Sequence, residues 1–238
     1  MEINEKENPL TPFFRTQGEE LSSSQYAAVI SVMARYKLSN VPSGYKDLYI
    51  DNSPAKEDQG DIYALLESYI KSFTTEGARV KSLYLYSKAT GTGKTTTAIA
   101  LLHEYIRRRF MYHMKYSDRI PEVIGYYCDI NKLQQEYNLA TMSNDDAKLK
   151  EIADRIVFLQ RVEFLVLDDI GIRSATESFR SLVHAVINER VTNELPTIYT
   201  SNVPVTDLKN IFDERLYDRI NDQCAQLTFG GKSKRGMR

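Results

Sequence analysis

Residues 83 to 95 read Leu83-Tyr84-Leu85-Tyr86-Ser87-Lys88-Ala89-Thr90-Gly91-Thr92-Gly93-Lys94-Thr95, and no other stretch narrows the possible folds as far. An apolar, aromatic run of strand character leads into a glycine-rich loop. Ala98, Leu101, Leu102 and Tyr105 then recur at helical spacing, so the order strand, loop, helix is predicted. Gly91 and Gly93 carry no Cβ, which frees the backbone for positive φ and for close approach to a ligand. Successive N–H groups of such a loop turn inward as an anion nest, and the helix N-terminus adds partial positive charge. Lys94 is placed to reach the β- and γ-phosphates of a nucleoside triphosphate, and the Thr95 hydroxyl to ligate Mg²⁺. The expected ATP-binding residues are therefore Thr90, Gly91, Thr92, Gly93, Lys94, Thr95 and Thr96.

The P-loop pattern G-x-x-x-x-G-K-[ST] asks for glycine where this chain has Lys88. Lys88 either adjusts the loop or adds charge near the phosphates. A triphosphate site also needs acids for the metal and the attacking water. Glu163-Phe164-Leu165-Val166-Leu167-Asp168-Asp169-Ile170-Gly171 supplies them as a buried parallel strand ending in two carboxylates. Asp168 is expected to hold Mg²⁺ through water and Asp169 to polarise the hydrolytic water. Alone, the pair would read as a turn closing an ordinary strand; beside a P-loop it reads as catalytic. Aspartate is one methylene shorter than the glutamate usual at that position, so slow hydrolysis is expected.

The remaining composition excludes more than it suggests. A chain of 238 residues can bury one sizeable core with a short extension. The net charge of −1 excludes strong indiscriminate nucleic-acid binding, so any such surface must be local. Two scattered cysteines, Cys128 and Cys224, exclude a zinc ribbon or disulfide framework and point to a reducing cytoplasm. No apolar run is long enough to span a bilayer, and no signal peptide is recognisable, so a cytoplasmic protein without membrane contact is expected.

Residues 1–37 read as an acidic tail followed by a helix from Ser24, with Tyr26, Val29, Ile30 and Met33 as an apolar stripe. That stripe either docks a partner or packs on the chain's own core. After the hinge Leu38–Gly44 a domain spanning 38–238 is expected, in which helix and strand alternate. Helices are predicted over 62–73, 95–110, 147–160, 177–191 and 208–221. Strands are predicted over 82–86, 123–128, 163–167, 197–200 and 226–229. This alternation implies an α/β fold with a central parallel sheet flanked by helices, its ligand at the carboxyl edge.

Three further features follow in order. Thr200-Ser201-Asn202 closes a strand, so Asn202 either turns the chain or orients water beside the γ-phosphate. Arg215 and Arg219 lie four apart on one helix face, as a solvated face or as fingers for a neighbouring subunit. The tail Gly230–Arg238 is basic and contains Arg235. A cluster of Arg107, Arg108 and Arg109 with Lys115 and Arg119 either contacts DNA or complements the helix dipole.

Taken in series, the P-loop, Asp168-Asp169-Ile170-Gly171, Thr200-Ser201-Asn202, Arg215-Leu216-Tyr217-Asp218-Arg219 and the terminal Gly-x-Ser-x-Arg resemble the AAA+ replicative helicase loaders of the DnaC and DnaI type, over about residues 38–236. The resemblance implies an AAA+ P-loop NTPase fold, here with a short helical N-terminal extension and no helical lid. It implies Lys94 and Thr95 as Walker A, Asp168 and Asp169 as Walker B, Asn202 as sensor 1, Arg219 as arginine finger and Arg235 as sensor 2. It further implies slow ATP hydrolysis with Mg²⁺, a hexameric replicative helicase and single-stranded DNA as partners, and self-association through the arginine finger. Residues 1–37 would then hold the helicase. The alternative is an IstB-like ATPase regulating a transposase on duplex DNA; a non-hydrolysing adaptor is disfavoured by the intact Lys94, Thr95, Asp168 and Asp169.

Overall fold

The sheet is wholly parallel, and strand order decides everything at its carboxyl edge. A computed structural model describes residues 22–75, 79–117, 119–171 and 175–231. Its strands are β1 (Ser82–Tyr86), β2 (Gly125–Asp129), β3 (Phe164–Asp168), β4 (Thr197–Ser201) and β5 (Cys224–Thr228). They lie in the order β2-β3-β4-β1-β5. Helix α3 (Lys94–Tyr116) carries the chain from β1 past β4 and β3 to the edge at β2. The chain then works back inward, which opens a crevice beyond the carboxyl ends of β1, β4 and β3. A parallel sheet must be covered on both faces. Leu83, Leu85, Phe164, Val166 and Ile198 enter one core with α3. Tyr84, Leu165, Leu167 and Tyr199 enter the other with α5 (Asp146–Arg161) and α6 (Glu177–Thr192).

Helix α1 (Ser23–Leu38) starts at Ser22 rather than Ser24: the Ser22 hydroxyl accepts from the Gln25 N–H, and the Gln25 side chain accepts from Ser22 N–H. Its apolar stripe divides, Val29 and the partly buried Met33 packing on the core with Val32, which the stripe did not include. Val29 and Val32 are fully buried in the core that α3 shares, each contributing about 1.5–3 kcal/mol, whereas Tyr26 and Ile30 face outward. Helix α2 (Gly60–Tyr69) continues as a 3₁₀ turn over Ile70–Thr74. Helix α4 (Ile130–Met142), absent from the sequence reading, starts directly at the end of β2, where the Asp129 side chain accepts from Lys132 N–H. The single helix expected over 208–221 is two, α7 (Leu208–Ile211) and α8 (Glu214–Gln223). Phe212 leaves helical geometry and Asp213 caps the second by accepting from Leu216 N–H.

Of the cluster that either contacts DNA or complements the helix dipole, the three arginines on α3 are paired at home. Arg107 and Arg108 reach Glu104 at 2.6 and 3.2 Å, and Arg109 reaches Glu163 at 2.6 Å. The helix's own Glu104 and Glu163, just before β3, thus offset two of these three charges. Arg190 on α6 is also a buried cation, with no exposed surface. It donates from Nε to Thr197 Oγ1, from Nη1 to the Leu159 and Val162 carbonyls, and from Nη2 to the Pro196 carbonyl. It thereby ties the end of α5 to the start of β4. Among the described residues no helix is long and apolar enough to cross a membrane.

Candidate nucleotide-binding site

Strand β1 delivers the loop Ser87–Gly93 to the crevice, and α3 begins at Lys94. Gly91 and Gly93 stand at φ 73° and 97°, in the left-handed region. Gly93 has a second reason to lack a side chain: a Cβ there would lie 2.5 Å from that of Ala55. The segment before α2 thus closes over the loop. Lys94 is buried, and its ammonium donates to the Ser87 and Ala89 carbonyls at 3.4 and 3.2 Å, which folds it back across the loop. The Thr92 hydroxyl is buried and has no hydrogen-bond partner among the described residues. An anion in the loop would satisfy it. The cleft has a volume of about 640 Å³ and is lined by the loop from Thr90 to Thr96, by Asp168, Asp169, Thr200 and Asn202, and by Tyr45, Ala55 and Asp58. Left-handed glycines, a folded-back lysine and a buried, unsatisfied hydroxyl fit a triphosphate.

Because β4 lies between β1 and β3, its Thr200 stands between the loop and the acids. Thr95 Oγ1 contacts both Asp168 oxygens, at 3.0 and 3.2 Å. Thr200 Oγ1 donates to Asp168 Oδ1 at 2.5 Å, and Tyr127 Oη donates to Oδ2 at 2.8 Å. Burial pushes the Asp168 carboxyl above its ordinary range; hydrogen bonds from Thr200, Tyr127 and Thr95 oppose this, and the neighbouring Asp169 adds to it. A hydroxyl and a carboxylate are hard donors suited to Mg²⁺, which keeps waters and phosphate oxygens for its remaining positions.

Asp169 sits at φ 66°, a conformation aspartate tolerates better than most residues. Its N–H donates to Thr200 Oγ1 at 2.9 Å, and its Oδ2 accepts from Asn131 Nδ2 at 3.0 Å. The two adjacent acids therefore point to different partners, with Asp169 turned towards the first residues of α4.

Asn202 is exposed at the mouth of the same cleft. Lys88 is exposed and is not among the lining residues. Arg215 and Arg219 lie on the exposed face of α8, away from the cleft, with Arg219 bonded to Asn188 of α6. Arg235 lies outside the described residues. Sequence reasoning missed Tyr127, Asn131, Ala55 and Gln59. Gln59 donates to the Gly230 carbonyl at 2.8 Å and to that of Thr92 at 3.5 Å, which links the phosphate loop to the start of the C-terminal tail. Only Asn131 had a signal, the Asp-Ile-Asn that follows a strand and caps a helix.

Comparison with known proteins agrees with this geometry. A crystal structure of DnaI superposes with a TM-score of 0.61 at 19% identity, covering 84% of this chain and 100% of that one. A crystal structure of the DnaC helicase loader gives 0.57 at 21% identity, covering 79% of this chain and 100% of that one. The architecture expected from the sequence, a P-loop AAA+ domain with a parallel sheet, is theirs. The replicative helicase loader DnaI of Bacillus subtilis (strain 168) is 26% identical over 187 residues, covering 73% of this chain and 53% of the relative. This chain therefore matches about half the length of that protein. The sequence model of the family described as IstB-like ATP binding protein matches residues 79–238, taking in the phosphate loop, both acids and Asn202, and the chain thus belongs to the IstB-like ATP-binding family.

Proposed function

We propose that this protein is an ATP-hydrolysing switch that binds a hexameric replicative helicase and assists its placement on single-stranded DNA. The observation that carries the ATPase reading is the line Lys94, Thr95, Asp168, Thr200 across the carboxyl edge of three strands, with Asp169 beside it. The helicase reading rests on likeness to DnaI. Lys94 exchanges its carbonyl partners for phosphate oxygens, which places the nucleotide and costs little reorganisation. Thr95 and Asp168 would hold Mg²⁺, which would supply positive charge against the phosphates. Asp169 accepts a hydrogen bond from the attacking water and Asn202 orients it. Turnover is slow, because an aspartate reaches less far than a glutamate. Arg219 of one subunit completes the site of the next. Arg235 is assigned as sensor 2 on the resemblance alone. Residues 1–37 form the partner-binding segment, with Tyr26 and Ile30 the apolar residues of the stripe that face outward.

The test is capture of a purified hexameric replicative helicase by the full chain with ATP, with ADP and without nucleotide. Nucleotide-dependent capture supports the reading; no capture in any state refutes it. The family match favours a second reading, an IstB-like regulator of a transposase on duplex DNA. Capture of a transposase and not of the helicase would establish that one.

A further inference from the structure

Asp168 is held from behind by two hydroxyls, one on each neighbouring strand, and that of Tyr127 belongs to none of the motifs read from the sequence. Tyr127 lies on β2 and Thr200 on β4, the strands on either side of β3. In the β2–β3 register Tyr127 pairs with Val166 and Asp129 with Asp168. Tyr127 is thus two places behind the acid on the same face, a diagonal that a tyrosine ring can span. Its hydroxyl meets Asp168 Oδ2 at 2.8 Å, while Thr200 Oγ1 meets Oδ1 at 2.5 Å. Both residues are buried, at 5% and 1% exposure.

Each carboxylate oxygen accepts along about two directions. Tyr127 takes one on Oδ2 and Thr200 one on Oδ1. The remaining direction on each oxygen faces Thr95, whose hydroxyl bridges the pair. Rotation of a free aspartate carboxylate about χ2 is broad and roughly two-fold. A donor on each rear edge removes that freedom.

We propose that Tyr127, with Thr200, is a positioning residue for the metal: the two hydroxyls form a fork that locks the Asp168 carboxylate so that one acceptor direction on each oxygen faces Thr95 and Mg²⁺. This rests on the reading of Thr95 and Asp168 as the Mg²⁺ pair. Tyr127 is not among the residues that line the cleft, and its hydroxyl reaches the site only through Asp168. Its effect is on how well Asp168 is pre-aimed, and removing such an outer partner typically costs about 10–100-fold in metal affinity.

Tyr127→Phe keeps the ring and removes the donor. ATP affinity is measured by titration calorimetry on the full chain in EDTA and over a series of Mg²⁺ concentrations, with thermal melting of the same samples. The expected result is unchanged affinity in EDTA and a half-saturating Mg²⁺ concentration raised about tenfold. Thr200→Val should reproduce the shift and Thr200→Ser should restore the wild-type Mg²⁺ dependence, which tests the fork from the other strand even where Tyr127→Phe does not fold. A Mg²⁺ dependence within twofold of wild type in folded Tyr127→Phe overturns the proposal. So does an equal loss of affinity with and without Mg²⁺, the mark of a merely structural role. If wild-type protein binds ATP no more tightly with Mg²⁺ than in EDTA, the metal reading of Thr95 and Asp168 fails first and takes the fork with it.

Discussion

Replacing Gly93 with alanine meets two separable costs. The position stands at φ 97°, and a Cβ there would lie 2.5 Å from the Cβ of Ala55. Left-handed backbone costs a residue with a Cβ about 1–2 kcal/mol. Carbon atoms prefer about 3.5–4.0 Å, and forcing a methyl into a packed site adds about 1–3 kcal/mol. A stiffer unfolded chain returns about 0.4–1 kcal/mol. The net expectation is a loss of about 2–4 kcal/mol in urea unfolding. Relief by displacement of the loop would instead turn its N–H groups from the phosphates, so ATP titration accompanies the melts, with a loss of about tenfold or more expected, since each 1.4 kcal/mol is tenfold. Adding Ala55→Gly removes the opposing methyl and not the backbone cost. The double-mutant cycle should therefore show a favourable coupling of about 1–3 kcal/mol, the steric share. Gly93→Ala protein within about 0.5 kcal/mol of wild type, with ATP affinity intact, would refute the reasoning. So would a cycle with no coupling.

Arg190→Met should lower stability by about 3–5 kcal/mol in urea, because methionine leaves the Leu159, Val162 and Pro196 carbonyls without their donor; ATP affinity should be unchanged. Burial pushes His103 down to about 4 from an ordinary 6.5, only partly offset by its hydrogen bond to the Leu48 carbonyl. The unfolded state then binds more protons between those values. Stability present above pH 6.5 is lost as pH falls towards 4, by about 3 kcal/mol in all, and His103→Gln should flatten urea-unfolding curves across that window. Asp168→Asn should weaken Mg²⁺-dependent ATP binding about tenfold. Asp169→Asn should leave binding near normal and slow phosphate release about 100-fold or more; identical behaviour of the two variants would refute the division of roles.

Local chemistry was legible in the sequence because it is written in consecutive residues. Gly91 and Gly93 before Lys94-Thr95 announced a loop with left-handed backbone, and the apolar run ending at Asp168-Asp169 announced a buried strand with acids at its edge. Helices with a single apolar face, such as α6, were equally plain from spacing. Boundaries failed where one side chain overrode the pattern: Asp129 starts α4 directly from a strand, and Asp213 restarts a helix that Phe212 had ended. What only the tertiary structure decided is who stands beside whom. All the central strands are buried on both faces, so their sequences do not encode the order β2-β3-β4-β1-β5. That order alone puts Thr200 and Tyr127 on either side of Asp168. Packing likewise brought Ala55 onto Gly93, Glu163 onto Arg109, and Val29 and Val32 into the core. A tyrosine, an alanine and a glutamate are unremarkable residues until the fold sets an acid, a glycine and an arginine against them, and long-range burial and pairing leave no periodic trace in the chain.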